Sequence, residues 1–140
     1  MPSFTDFPAR GKVTRVEGDF VTFLPTNTTY ELKLAAPGYA GPVNVPIDAT
    51  IRVKARRLWT VPSGGNFVTP IFGPPKTIQG KIRAIEGDTI LVHAAVPIVV
   101  ELPANESAYD CNNGQLGEGT TVNVVAFPGG TLALLEKAAT

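Results

Sequence analysis

The sequence predicts an all-β protein built from two tandem, duplicated small five-stranded barrels, and three observations carry that expectation. The chain repeats itself at a fixed offset, its β-branched residues fall in short runs between glycine and proline clusters, and helical periodicity is absent throughout. The repeat weighs most, because duplication dictates architecture before any motif is read.

Setting Gly11 against Gly80, an offset of 80 − 11 = 69, aligns Gly-Lys-Val-Thr-Arg-Val-Glu-Gly-Asp-Phe-Val with Gly-Lys-Ile-Arg-Ala-Ile-Glu-Gly-Asp-Thr-Ile, with five of eleven positions identical. The aliphatic pairs Val13/Ile82, Val16/Ile85 and Val21/Ile90 keep β-branched residues where a buried strand wants them. With one residue inserted, Glu31-Leu32 meets Glu101-Leu102, Tyr39 meets Tyr109 and Thr50 meets Thr120.

The elements follow in order. Residues 1–10 form an arm with Phe4 and Phe7 set between Pro2 and Pro8, a segment that cannot make a core alone and must lie against its own barrel or a neighbouring subunit. Each unit then opens with a hairpin at Glu17-Gly18 or Glu86-Gly87, where glycine at the second loop position permits the positive φ of a tight turn. The Val13–Val16 spacing breaks strict alternation and suggests a bulge, which curves a strand. Second strands are expected at Phe20–Leu24 and Thr89–His93, and third strands at Thr29–Leu34 and Ile98–Leu102. A Gly, Pro and Asn-rich loop follows in each unit. Closing hairpins are expected from Ile51–Val61 with Phe67–Phe72 and from Val122–Phe127 with Thr131–Leu135, turning at Pro62–Asn66 and Pro128–Gly130. The barrels then span 11–72 and 78–138, joined by a stiff proline-rich link over 73–77 that holds them side by side.

Five short strands with a long connection between the third and fourth fit the OB-fold type of barrel. The motif Gly-Lys-Val-x-x-Val-Glu-Gly-Asp-x-Val-x-Phe resembles the first hairpin of OB-like and SH3-like barrels, including those of phage spike, transporter and translation proteins. The duplication, sparse charge and apolar arm also resemble, in general character, phage virion accessory proteins such as capsid decoration or cement proteins. That likeness implies a structural role. Function still depends on the residues grafted onto the barrel surface.

Composition narrows the classes of function. A hydrophobic share of 44% supports a real core, and twelve Lys plus Arg balanced by twelve Asp plus Glu leave no global field for polyanions or acidic membranes. Only 17% of residues are charged, below the roughly 25% of ordinary soluble domains, which points to surface covered by a partner. One cysteine and one histidine give neither an internal disulfide nor a zinc cluster, and no cofactor is implied. The N-terminus lacks a signal-peptide pattern and no apolar run reaches membrane-spanning length, so the expected setting is cytoplasmic, or a virion if the chain is phage-derived. The sequons at Asn27 and Asn105 are discounted on the same ground.

Arg52, Lys54 and Arg56 alternate with Ile51, Val53 and Ala55, and Arg57 and Trp59 follow; such a strand could hold a phosphate backbone and stack a base, or be a solvated strand face. The matching outward positions of the second unit, Asn123, Val125 and Phe127, have the character of a protein contact. His93 has no second histidine beside it and reads as a surface or interface residue. The pairs Glu17/Asp19 and Glu86/Asp88 read as turn residues, and Cys111 as a spectator thiol. Tyr39 and Tyr109 could flank a small ligand between the barrels. No catalytic or metal constellation is present, and the expectation is a non-enzymatic structural or assembly protein, with a virion decoration or tail-associated protein as its concrete form. It would act through a protein partner or homo-oligomer at Phe4, Phe7, Val125 and Phe127. The alternative is a nucleic-acid-binding protein using Arg52, Lys54, Arg56, Arg57 and Trp59.

Overall fold

The computed structural model describes residues 8–26, 28, 30–61, 65–69, 72–73, 75–86, 89–94, 96–102, 109–110, 119–127 and 130–134. Its strands are β1 (Ala9–Glu17), β2 (Phe20–Pro25), β3 (Glu31–Ala35), β4 (Ile47–Thr60), β5 (Phe67–Thr69), β6 (Phe72–Gly73), β7 (Thr77–Glu86), β8 (Thr89–His93), β9 (Pro97–Glu101), β10 (Tyr109–Asp110), β11 (Thr121–Ala126) and β12 (Thr131–Leu134). All twelve join one mixed sheet, and among the described residues there is no helix, so the all-β expectation holds.

The two opening hairpins share one register. Lys12↔Leu24, Val13↔Phe23, Val16↔Val21 and Glu17↔Phe20 in the first correspond at the offset of 69 to Lys81↔His93, Ile82↔Val92, Ile85↔Ile90 and Glu86↔Thr89 in the second. Both ladders skip at the same place, between Val13 and Arg15 and between Ile82 and Ala84, which is the bulge the spacing suggested. The first loop is Gly18-Asp19, with glycine at the first position rather than the second and φ of 60° there, as two-residue loops with a leading glycine require. Val13, Ile82, Val21 and Ile90 are buried, whereas Val16, expected inside, is 41% exposed: it pairs with buried Val21 but stands one pair from the hairpin tip, at the rim of the core.

Gly11 and Gly80 occupy matching close approaches. A Cβ on Gly11 would collide with the Leu24 carbonyl oxygen and reach 2.8 Å from Phe23 Cζ; one on Gly80 would collide with the His93 carbonyl oxygen and reach 2.9 Å from Ala94 Cα.

Beyond the hairpins the pairing is non-local. β2 pairs antiparallel with β3, β3 runs parallel to β12 at Thr131↔Ala35, and β12 pairs antiparallel with the first half of β4 from Thr131↔Arg52 to Leu134↔Ala49. β4 in turn pairs with β1 from Ala9↔Ala49 to Gly11↔Ile47, so this circuit returns to its starting strand. A second circuit runs from β7 to β8 to β9, then parallel to β4 at Arg52↔Val99 through Lys54↔Glu101. It continues through β4's second half to β11 and back to β7. The 14-residue β4 therefore serves both circuits.

The closing hairpins expected from the sequence are not formed among the described residues. β5 pairs with β7, and β12 pairs with β3 and β4 instead of β11. A strand has only two edges, and β4 fills both along its length: β1 and β12 flank residues 47–52, β9 residues 52–54, and β10 and β11 residues 55–60.

The register also revises the later correspondences. Leu32 pairs with Phe23 as Ile98 pairs with Val92, so Leu32 matches Ile98 and not Leu102. Ala49 faces Ala9 as Val124 faces Ile78, an offset of 124 − 49 = 75, so Thr50 matches Val125 and not Thr120. The same offset joins Asn44 to Gly119: both have left-handed φ, 64° and 88°, and their amides donate to the carbonyls of Val13 and Ile82 at 2.7 Å each.

The main core draws on both circuits, with Phe23, Leu32, Leu34 and Ile51 in one cluster with Leu58, Ile78, Ile82 and Ile98. Ala84, Leu91 and Val99 form a separate buried cluster. These three alternate with core residues along their strands and so face the other side of β7–β8–β9.

Candidate interaction surface

Strand alternation positions the surface. Ile51, Val53, Ala55 and Leu58 of β4 point into the core, so Arg52, Lys54, Arg56 and Arg57 point outward and are exposed, with Trp59 half-buried after them. The change of parity between Ala55 and Leu58 coincides with a register shift opposite Val125/Ala126, so Arg56 and Arg57 both stay outside.

β11 contributes the neighbouring row. Val125 pairs with Arg57 and Asn123 with Trp59, and directly paired residues share a face, but Val125 is half-buried and Asn123, expected to point outward to a partner, is buried at 9% exposure. The Phe127 amide donates to the Lys54 carbonyl at 2.8 Å, and the residue is 48% exposed. The basic residues and the apolar ones, assigned to separate units by sequence, therefore adjoin on one surface. The sequence alignment set Val125 against Lys54 and Phe127 against Arg56 as counterparts in separate units, whereas the structure places Val125 beside Arg57 and Phe127 beside Lys54.

The electrostatics are uneven along the strand. The Arg52 guanidinium lies 3.5 Å from a Glu101 carboxylate oxygen, and Arg57 sits over the Trp59 ring at 6.0 Å from its centroid. Among the described residues Lys54 and Arg56 have no ion-pair partner. Asp110 is placed by register beside Trp59 on the parallel strand β10. Four of the chain's twelve cations thus lie within residues 52–57, leaving 8 cations against 12 anions elsewhere.

Other candidates fall out differently. Phe4, Phe7, Asp88 and Cys111 lie outside the described residues. His93 is half-buried opposite Lys81, and burial together with the Arg83 charge lowers its pKa from 6.5. Glu17 takes a 3.1 Å hydrogen bond from Arg15 at the hairpin tip, consistent with a local turn role. The Tyr39 hydroxyl donates to the Pro42 carbonyl at 2.7 Å and so serves its own loop, its pKa raised by burial. Tyr109 stands on β10 beside Leu58, a different element.

Sequence reasoning missed further exposed apolar residues. Val43 and Val45, in the loop before β4, are 41% and 43% exposed, and Phe20 is 44% exposed with the Lys33 ammonium 5.1 Å from its ring centroid. A cavity of about 270 Å³ between Gly11, Leu24, Pro25 and Pro46 was also unanticipated. Among the described residues no group of three or more potential metal ligands is assembled, and no helix is long and apolar enough to cross a membrane. Comparison with family models, curated proteins and solved structures finds no match to this chain.

Proposed function

We propose that the two circuits are copies of one small OB-like barrel whose fifth strands are exchanged, and that the chain is a non-enzymatic assembly protein working through protein contacts. β12 completes the first barrel and the second half of β4 completes the second. The matched hairpin registers, the paired glycines and the shared left-handed position at Asn44 and Gly119 support the duplication.

The single observation that carries the assembly reading is the outward face of β4 and β11. Arg52, Lys54, Arg56, Arg57 and Trp59 adjoin Val125 and Phe127 there, on the one strand common to both circuits. Arg, Trp and Phe are the side chains in which interface centres are enriched. A virion component, such as a decoration or tail-associated protein, is the concrete form of this role.

Size-exclusion chromatography with light scattering tests it. The wild-type chain is expected to run as an oligomer, or to join a larger particle from its native source. Phe127→Ser combined with Arg57→Ala abolishes that association while leaving the circular dichroism spectrum unchanged. A chain that stays monomeric and joins nothing overturns the reading.

A further inference from the structure

The face of β4 and β11 is charged as well as apolar, and that selects its partner. Resting on the assembly reading above, we infer that it docks an acidic polypeptide surface, carboxylates meeting Lys54, Arg56 and Arg57 while an apolar group of the partner covers Val125 and Phe127.

Three features favour a polypeptide over a nucleic acid. First, the track is short. Arg52 to Arg56 spans four residues, about 13 Å at roughly 3.3 Å per residue, against sites of about 4–16 nucleotides on single-strand-binding barrels. Second, Glu101 already engages Arg52 and stands opposite Lys54 in register, so a continuous polyphosphate would meet a carboxylate along the track. Third, the rest of the chain carries 8 cations against 12 anions, which repels a long polyanion but leaves a local acidic patch free to dock. Within the patch, Lys54 and Arg56 have no ion-pair partner among the described residues, and guanidinium groups match the two oxygens of a carboxylate.

Trp59 reports occupancy, because it is the chain's single tryptophan and lies in the patch. The full chain is titrated with a short-chain random Glu/Tyr copolymer, with short-chain poly-glutamate and with a twenty-nucleotide oligo-dT, at about 50 and 300 mM salt, and binding is followed by anisotropy of the labelled probe. Trp59 emission is read in the poly-glutamate and oligo-dT arms, which add no tyrosine. The Glu/Tyr copolymer should bind tightest, poly-glutamate more weakly, and the higher salt should weaken both about tenfold or more, since exposed charges are screened over about 10 Å at 0.1 M. Arg56→Glu with Arg57→Glu should cost at least about tenfold, and Phe127→Ser should remove the copolymer's advantage over poly-glutamate. Lys12→Glu, a cation outside the patch, controls for net charge and should cost much less.

Tighter binding of oligo-dT than of either acidic polymer overturns the inference in favour of nucleic acid. Binding of the copolymer that survives Arg56→Glu with Arg57→Glu overturns it as well. Failure of this inference alone is recognised when wild-type chain still joins an assembly by light scattering and charge reversal leaves that assembly intact. Absence of any assembly means instead that the broader reading has failed.

Discussion

If the C-terminal strand completes the first circuit, Leu132→Ala should loosen residues far from it in sequence. Leu132 is 5% exposed and pairs with Ile51, and β12 also meets β3, where the Ala35 amide donates to the Gly130 carbonyl at 2.8 Å. Truncating a buried leucine to alanine costs about 2–5 kcal/mol, and the low exposure sets Leu132 within that range. Because about 1.4 kcal/mol is a factor of ten, amide protection should fall by about 30-fold to several thousand-fold where the opening occurs. Native-state hydrogen exchange read by mass spectrometry should place the greatest loss in β1, β2 and β3. The mirror variant Leu58→Ala, in the first half of the chain and 1% exposed, should release β7, β8 and β11 first, because Leu58 pairs with Val124. Were Leu132→Ala to loosen β7–β9 more than β1–β3, the reasoning from strand pairing would be refuted.

Gly11→Ala and Gly80→Ala should each destabilise by about 1–3 kcal/mol or more, as overpacking does, because backbone rather than a flexible side chain stands in the way; thermal unfolding measures it. Asn44→Gly should be neutral or slightly stabilising and Gly119→Ala destabilising by about 1 kcal/mol, since both residues adopt left-handed φ; urea titration compares the two. His93 has a folded pKa below its unfolded 6.5, so its neutral form is the one the fold favours. Its contribution is therefore complete above pH 6.5 and is lost as the pH falls through that value toward the lowered folded pKa, and His93→Gln should flatten this part of the stability–pH curve while leaving stability at pH 8 nearly unchanged.

The opening hairpins were legible because turn chemistry and β-branched spacing act locally, and a short register can be read from eleven aligned residues. The non-local pairing of β4 and β12 was not legible. Alternation along Ile51–Leu58 says which face of a strand is buried, but the edges of a strand carry only backbone donors and acceptors, which are the same for every sequence. Thr131↔Ala35 joins strands 96 residues apart, 131 − 35, and nothing in either segment names the other. The site suffered from the same blindness. Arg52, Lys54, Arg56 and Arg57 were recognisable as an exposed row, but their adjacency to Val125 and Phe127 depends on which strand fills the edge of β4. The halves also differ at the continuous apolar runs Ile90-Leu91-Val92 and Ile98-Val99-Val100, which sequence reasoning did not set apart. Where the first half alternates polar Thr22 and Lys33 with core residues, the second buries Leu91 and Val99 on its other side.

The proposed exchange bears directly on why β4 should carry the contact surface. In a tandem of independent barrels, a partner bound to one could leave the other free to swing, and the apolar and basic rows would move relative to each other. Here the row of cations sits on a strand whose inward residues Ile51, Val53, Ala55 and Leu58 belong to the core shared by both circuits, and whose Lys54 carbonyl accepts the hydrogen bond that holds Phe127 at the end of β11. The side chains are thus presented from regular strands held on both edges, so little backbone ordering is left to oppose binding, and complementarity to a partner is set by side-chain chemistry. That is the arrangement expected of a component whose work is to hold a fixed position against another surface.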